Sequence, residues 1–85
     1  MPAPLKSPIA YHPACGCRGV LAFNIARFRV AKGLSQEQLG LEASLDRTYV
    51  SAVERGRVNI SIDNIEKIAA ALSKPPWELL LPPSE

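Results

Sequence analysis

The sequence has few of the residue types that build catalytic and metal centres. Its one histidine and two cysteines lie near the N-terminus, at His12, Cys15 and Cys17. A structural zinc site needs four ligands, and no fourth ligand lies nearby. A disulfide between two cysteines so close together would staple no core, so we expect reduced thiols. Because no acidic pair or nucleophile–base set is found either, the sequence predicts no enzyme, no metal and no other cofactor.

Long apolar runs are also missing. No segment approaches the roughly 20 apolar residues that span a bilayer. Prolines interrupt every apolar pair near the N-terminus, where a signal peptide needs a continuous apolar stretch. We therefore expect a cytoplasmic protein without a membrane partner. The 85 residues provide for one small domain, and the net charge of +2 suits nucleic acid without establishing it.

Proline is absent from the middle of the chain. Of its eight prolines, four lie in the first thirteen residues and four lie beyond residue 74. Residues 1–19 contain no acidic residue and show no periodicity of 2 or 3.6, which predicts a flexible Pro-rich N-terminal arm. Residues 20–81 are predicted to fold as one domain, and residues 82–85 to form a short tail.

Signals for two helices open this domain. Apolar residues at helical spacing predict a first helix over Val20–Lys32, ended by Gly33 in a left-handed cap. Ser35 and Gln38 form a capping box that starts a second helix, which ends near Ala43.

Signals for three further helices follow. Asp46 is a strong N-cap for a third helix that ends at Gly56. Ser61 caps a fourth helix, and Pro76 opens a fifth, short one. The predicted core face of the fourth helix comprises Ile62, Ile65, Ile68, Ala69 and Leu72. Five helices without a strand pattern predict an all-α fold. Because only two residues separate the second and third helices, they are expected to cross steeply, as in a helix-turn-helix.

Four segments carry a specific resemblance. They read G-L-S-Q-E-Q-L at residues 33–39, L-D-R-T-Y-V-S at 45–51, V-E-R-G-R at 53–57 and I-E-K-I-A-A-A-L at 65–72. In this order and spacing they resemble the Cro/phage-repressor type of helix-turn-helix domain, also called the xenobiotic-response-element type. Its members share a five-helix, lambda-repressor-like fold. The resemblance is greatest to the controller proteins of restriction–modification systems. It covers roughly residues 21–81, with the helix-turn-helix motif at about 36–55.

The resemblance implies a sequence-specific DNA-binding transcriptional regulator. Such a protein would bind a pseudo-palindromic operator in double-stranded DNA as a homodimer, with the helix at 47–55 in the major groove. Arg47 suits a guanine edge and Gln36 suits a phosphate at a helix N-terminus. The residues expected to contact DNA are Gln36, Arg47, Thr48, Tyr49, Ser51, Ala52, Arg55, Arg57 and Asn59.

Other residues are expected to be structural. The resemblance implies a partly buried ion pair between Arg29 and Glu54, on the first and third helices. Four apolar residues near the C-terminus are too many for the surface of a small monomer, so part of the group is expected to cover the core and the remainder to form a dimer interface. This group comprises Trp77, Leu79, Leu80 and Leu81.

Two residues depart from the family pattern. Gly40 lies where the family usually has alanine, and Ser44 lies where its turn usually has glycine. The second position requires a positive φ, which costs a non-glycine residue about 1 kcal/mol or more. Both departures are expected to affect stability rather than DNA contact.

Two other functions remain open from the sequence. The same fold serves as the DNA-binding antitoxin of toxin–antitoxin pairs, and in other proteins as a protein-binding module. The sequence does not decide between activator and repressor, nor whether RNA polymerase or a toxin is a partner.

Overall fold

A computed structural model describes residues 16–83, which form four α-helices and a C-terminal 3-10 helix. The α-helices are α1 (Cys17–Ala31), α2 (Gln36–Ala43), α3 (Arg47–Glu54) and α4 (Ile62–Ala71), and the 3-10 helix spans Pro76–Leu80. No strand occurs in this part of the chain. The all-α prediction is confirmed. The count of five α-helices is not, because the last element is a single 3-10 turn that Pro82 and Pro83 follow.

The first helix begins earlier than the sequence predicts. Gly16 is the N-cap of α1, and the Val20 amide donates to the Gly16 carbonyl oxygen at 3.0 Å. Residues 17–19, which the sequence assigns to the arm, are therefore helical. Gly16 offers no side-chain cap, so the usual sequence signal for a helix start is missing here. Residues 1–15 of the predicted arm, with His12 and Cys15, lie outside the described residues, whereas Cys17 is an exposed free thiol.

The three later α-helices begin at the predicted caps. Ser35 Oγ accepts from the Gln38 amide at 3.0 Å, and Gln38 Oε1 accepts from the Ser35 amide at 2.7 Å, which completes the capping box. Asp46 accepts from the Thr48 amide at 2.7 Å. Ser61 caps α4 in the same way through its side-chain oxygen. These bonds satisfy amides that have no partner inside the helix.

The turn between α2 and α3 depends on Gly40 and Ser44. Ser44 is left-handed, with φ 59° and ψ 42°, as the family pattern requires at this position. The Leu45 amide donates to the Gly40 carbonyl oxygen at 2.8 Å. A Cβ added at Gly40 would lie 2.6 Å from the Leu45 carbonyl oxygen. The backbone that follows the turn therefore lies so close to α2 that only glycine fits at position 40 without a shift.

One core joins all five elements. The fully buried side chains at its centre include Ile25, Leu39, Val50, Ile68 and Leu79. The prediction that Ile62 faces this core is wrong, since 75% of its surface is exposed. Ile62 is the first residue of α4, whereas Ile60 of the preceding loop packs against the core.

Candidate nucleic-acid interface

α3 separates its buried residues cleanly from its outward residues. Val50, Val53 and Glu54 are buried, and the first two belong to the core. On the opposite face Thr48 is exposed and Ser51 and Ala52 are half-buried, with the half-buried Tyr49 at the margin. Arg47 is exposed at the first position of the helix. The period of 3.6 residues produces this separation, so the face predicted to contact DNA is turned to solvent.

Three arginines lie on α3 and just beyond it. Arg47 starts the helix, Arg55 is its C-cap and Arg57 follows in the loop, with Asn59 two residues later. All four side chains are exposed. Within residues 16–83, none of these three guanidinium groups takes part in an ion pair. Each therefore keeps its full set of donors for a partner with acceptor atoms.

A buried polar network joins α3 to α1 and α2. Arg29 Nε donates to Glu54 Oε2 at 2.6 Å and Arg29 Nη2 donates to Glu54 Oε1 at 3.0 Å, a bidentate pair. Arg29 Nη1 also donates to the Leu34 carbonyl oxygen at 2.9 Å. Glu54 is completely buried, so this carboxylate depends on its protein partners and not on water.

Gln36 takes part in the same network. It is the first residue of α2, and its Nε2 donates to Glu54 Oε1 at 3.0 Å. Position 36 was predicted from its helix N-terminus and from the family resemblance, and the bond to Glu54 was not predicted. The Arg29–Glu54 pair therefore holds the half-buried Gln36 side chain at the start of α2, next to the free amides of the first turn.

Tyr49 has a partner that the sequence analysis missed. Asn64 Nδ2, on α4, donates to the Tyr49 hydroxyl oxygen at 3.0 Å. The two residues are 15 positions apart, and each lies on a different helix. No local pattern reports such a contact, because it depends on how α3 and α4 cross.

The C-terminal apolar group divides into one core residue and three surface residues. Leu79 is completely buried because the inner side of the 3-10 helix packs on the core, so within the predicted interface group it is a residue that covers the core and is not exposed to a second copy. Trp77 is 63% exposed, and Leu80 and Leu81 are also exposed. We call these three residues the C-terminal apolar face. Asn24 of α1 holds the segment, donating from Nδ2 to the carbonyl oxygens of Leu79 at 2.8 Å and Leu81 at 2.7 Å.

Within residues 16–83, the features of a metal site and of a membrane-spanning helix are both absent. No group of three or more histidine, cysteine, aspartate or glutamate side chains converges there as a metal site would require. No helix in the same part of the chain has the length and apolar character needed to cross a membrane.

Known proteins with the same architecture include transcription factors and controller proteins. A hypothetical transcription factor of Neisseria meningitidis serogroup B is 62% identical over 68 residues, which are 80% of this chain and 64% of that protein. This chain thus spans less than two thirds of that relative's length. The crystal structure of the hypothetical transcription factor NHTF from Neisseria has a TM-score of 0.82 and 52% identity, with 92% of each chain covered.

Two controller-type structures extend the comparison. The restriction–modification controller protein C.AhdI from Aeromonas hydrophila has a TM-score of 0.69 and 48% identity, covering 71% of this chain and 91% of that one. C.Esp1396I, solved bound to a 25 base pair operator site, has a TM-score of 0.70 and 33% identity over 78% of this chain and 91% of that one. The helix-turn-helix family profile matches residues 25–79. The chain therefore belongs to the helix-turn-helix family of Cro/phage-repressor type, with restriction–modification controller proteins among its relatives.

Proposed function

We propose that this protein is a sequence-specific transcriptional regulator of controller type that binds a pseudo-palindromic operator as a homodimer. The observation that carries the proposal is the exposed surface of α3, which presents Arg47 at the start of the helix and Thr48 on the face opposite the core. A structural relative, C.Esp1396I, has been solved bound to an operator site.

The chemistry of the α3 face fits the edges of base pairs. Arg47 suits guanine, whose O6 and N7 accept two parallel hydrogen bonds from one guanidinium. Thr48 and Ser51 each carry a hydroxyl that donates or accepts. Ala52 adds no bulk, which permits a close approach of the helix to the groove floor. In this arrangement Arg47 is the main source of sequence discrimination.

The residues around α3 fit the phosphate backbone. Gln36 lies beside the free amides at the start of α2, where a phosphate is favoured by the helix dipole. Arg55, Arg57 and Asn59 extend from the opposite end of α3. Phosphate contacts at both ends of a recognition helix fix its position without reading sequence.

The C-terminal apolar face supports a homodimer. Trp77, Leu80 and Leu81 expose apolar surface on a small domain. Burial of that surface against a second copy would be favourable. A two-fold dimer would present two α3 helices about 34 Å apart, one turn of the duplex. The operator would then carry two inverted half-sites at that spacing.

In vitro selection of bound duplexes from a random library tests this function. The expected result is an enriched inverted repeat with half-site centres about 10 base pairs apart, bound with an affinity that falls steeply with salt. Enrichment of no motif, together with weak binding at moderate salt, would contradict the proposal and favour a protein-binding module on the same fold.

A further inference from the structure

The only polar side-chain contact described between α3 and α4 involves a residue of the DNA-facing region of α3. Asn64 Nδ2 donates to the Tyr49 hydroxyl oxygen at 3.0 Å. Tyr49 packs against the core, so its ring is held on one side by apolar neighbours. The backbone of Asn64 is fixed as well, because Ser61 Oγ accepts from its amide at 3.1 Å. Both side chains are half-buried, at the edge of the domain.

The direction of this hydrogen bond decides what the tyrosine offers to a ligand. A phenol has one hydrogen to donate and lone pairs to accept. Since Asn64 supplies the hydrogen of this bond, the Tyr49 oxygen is the acceptor and its own hydrogen is directed elsewhere. The hydroxyl is therefore presented as a donor to any acceptor atom that approaches α3 from outside.

We propose that Asn64 is a positioning residue for DNA recognition, which fixes the Tyr49 hydroxyl as a hydrogen-bond donor to an acceptor atom of the duplex. This inference rests on the proposed function. The acceptor is a base-edge atom in the major groove (N7 of a purine, O6 of guanine or O4 of thymine) or a phosphate oxygen. All of these accept from a hydroxyl.

Asn64→Asp reverses the polarity of the contact. A carboxylate only accepts, so it draws the phenolic hydrogen to itself and leaves Tyr49 without a donor for DNA. An aspartate in the first turn of α4 is favoured by the helix dipole, so this variant is expected to fold. Tyr49→Phe removes the hydroxyl altogether. The double variant, Asn64→Asp with Tyr49→Phe, measures the repulsion between the new carboxylate and DNA in the absence of the hydroxyl.

The experiment measures the affinity of the full chain for its selected operator, with these three variants and wild type at matched salt. We expect Tyr49→Phe to weaken binding about threefold to tenfold for each half-site, the usual effect of losing one neutral hydrogen bond. Asn64→Asp should cost at least threefold more in the wild-type background than in the Tyr49→Phe background. Thermal melts of each variant check that the fold is retained.

The selection profiles identify the acceptor. A base-edge acceptor predicts that Asn64→Asp loses or changes the preference at one symmetric pair of positions, toward bases that present an amino donor. A phosphate acceptor predicts equal weakening on all sequences.

Two results would overturn the proposal. If Asn64→Asp weakens binding by the same factor in both backgrounds, Asn64 only ties α3 to α4. Arg47→Ala separates this failure from that of the proposed function: if it still lowers affinity for the selected operator selectively, only the role of Asn64 is wrong. If the random library yields no selected operator, the proposed function fails and the role of Asn64 fails with it.

Discussion

Arg47 and Gln36 start adjacent helices, but their surroundings predict different contributions to DNA binding. Arg47 is exposed at the first position of α3 and is free of ion pairs within the described residues. Gln36 is half-buried and bonded to Glu54. We expect Arg47→Ala to cost about 1–3 kcal/mol on the selected operator and to relax preference at one symmetric pair of positions. Gln36→Ala should weaken all sequences nearly alike, since a phosphate contact carries no base information.

Selection profiles of the two variants at matched salt make this comparison. Each variant is the control for the other, because instability would lower affinity without changing sequence preference. If Arg47→Ala reduces binding to selected and random DNA by the same factor, Arg47 contacts the backbone. Base reading would then belong to Thr48, Tyr49 and Ser51.

The Arg29–Glu54 pair contributes to folding rather than to DNA contact. The Glu54 carboxylate accepts three hydrogen bonds and has no exposed surface. Removing one member of such a pair leaves a buried charge without compensation. We expect Glu54→Gln to lower the free energy of unfolding by about 3–5 kcal/mol in urea titrations. Glu78→Gln is the matched control.

Glu78 supplies that control because its ion pair with Lys74 is long, at 3.6 Å, and partly solvated. Exposed pairs of this kind contribute about 0–1 kcal/mol. Equal, small shifts of the urea midpoint in both glutamine variants would show that burial of the Arg29–Glu54 pair has no energetic consequence.

Substitutions at Gly40 and Ser44 are expected to change stability in the direction opposite to the usual one. Alanine normally stabilises a helix by about 1 kcal/mol relative to glycine. Gly40→Ala is expected to destabilise, because its Cβ would lie 2.6 Å from a backbone oxygen. Ser44→Gly is expected to stabilise by up to about 1 kcal/mol, since glycine adopts the positive φ without strain. Thermal melts measure both.

Ser73 provides an internal comparison for Ser44, because it has the same φ of 59° beyond α4. Ser73→Gly should raise the melting temperature by less, because it also removes the Oγ that accepts from Lys32 Nζ at 3.0 Å. A rise in melting temperature for Gly40→Ala would mean that the turn relaxes, and that the close approach of α2 to Leu45 is not a constraint.

At the scale of elements, the sequence predicts what is encoded locally. The caps at Ser35, Asp46 and Ser61 each involve residues two or three positions apart, so they were found correctly. The start of α1 has no side-chain cap and was placed three residues late. Ile62 fits the apolar period of α4 but precedes the part of the helix that packs, which periodicity alone does not report.

Asn24 attaches the C-terminal segment to α1. Its side chain is completely buried, and its Nδ2 donates hydrogen bonds to the carbonyl oxygens of Leu79 and Leu81. The near-isosteric Asn24→Leu removes both bonds and leaves the buried Leu79 carbonyl unpaired. We expect a loss of about 1–3 kcal/mol in unfolding free energy. The segment that carries Trp77 should also loosen before the rest of the domain unfolds.

The single tryptophan makes this loosening measurable. In Asn24→Leu, the fluorescence transition of Trp77 should precede the loss of helical circular dichroism on heating, whereas the two coincide in wild type. Asn59→Leu, at an exposed asparagine, is the control and should keep the transitions together. Coincident transitions in Asn24→Leu would show that the segment is held by Leu79 packing alone.

At the scale of the molecule, the fold class and family were readable because the helix-turn-helix motif is continuous in sequence. The polar network from Arg29 through Glu54 to Gln36 joins three helices, and only the ion pair was implied by resemblance. The contact of Asn64 with Tyr49 was not implied at all. The division of the C-terminal residues into Leu79 inside and Trp77 outside depends on how a 3-10 turn sits on the core, which composition does not report.

The C-terminal apolar face is expected to link dimer assembly to operator binding. If it forms the homodimer interface, Trp77→Gln with Leu80→Gln removes apolar contact from both protomers at once. Sedimentation should then give a mass near 9.2 kDa in place of twice that value. Affinity for the full operator should fall strongly at low protein concentration, because a monomer binds one half-site and loses the simultaneous engagement of the second. The melting temperature should change comparatively little.

Leu41 and Ile62 provide the matched control for this pair of changes. They are the most exposed large apolar residues described, at 76% and 75%, and lie on α2 and α4, away from the 3-10 helix in sequence. Leu41→Gln with Ile62→Gln should leave both the mass and the operator affinity unchanged. Wild-type affinity should also depend on protein concentration below the dimer dissociation constant. A dimeric mass that survives Trp77→Gln with Leu80→Gln but is lost in the control variant would place the interface at Leu41 and Ile62 instead.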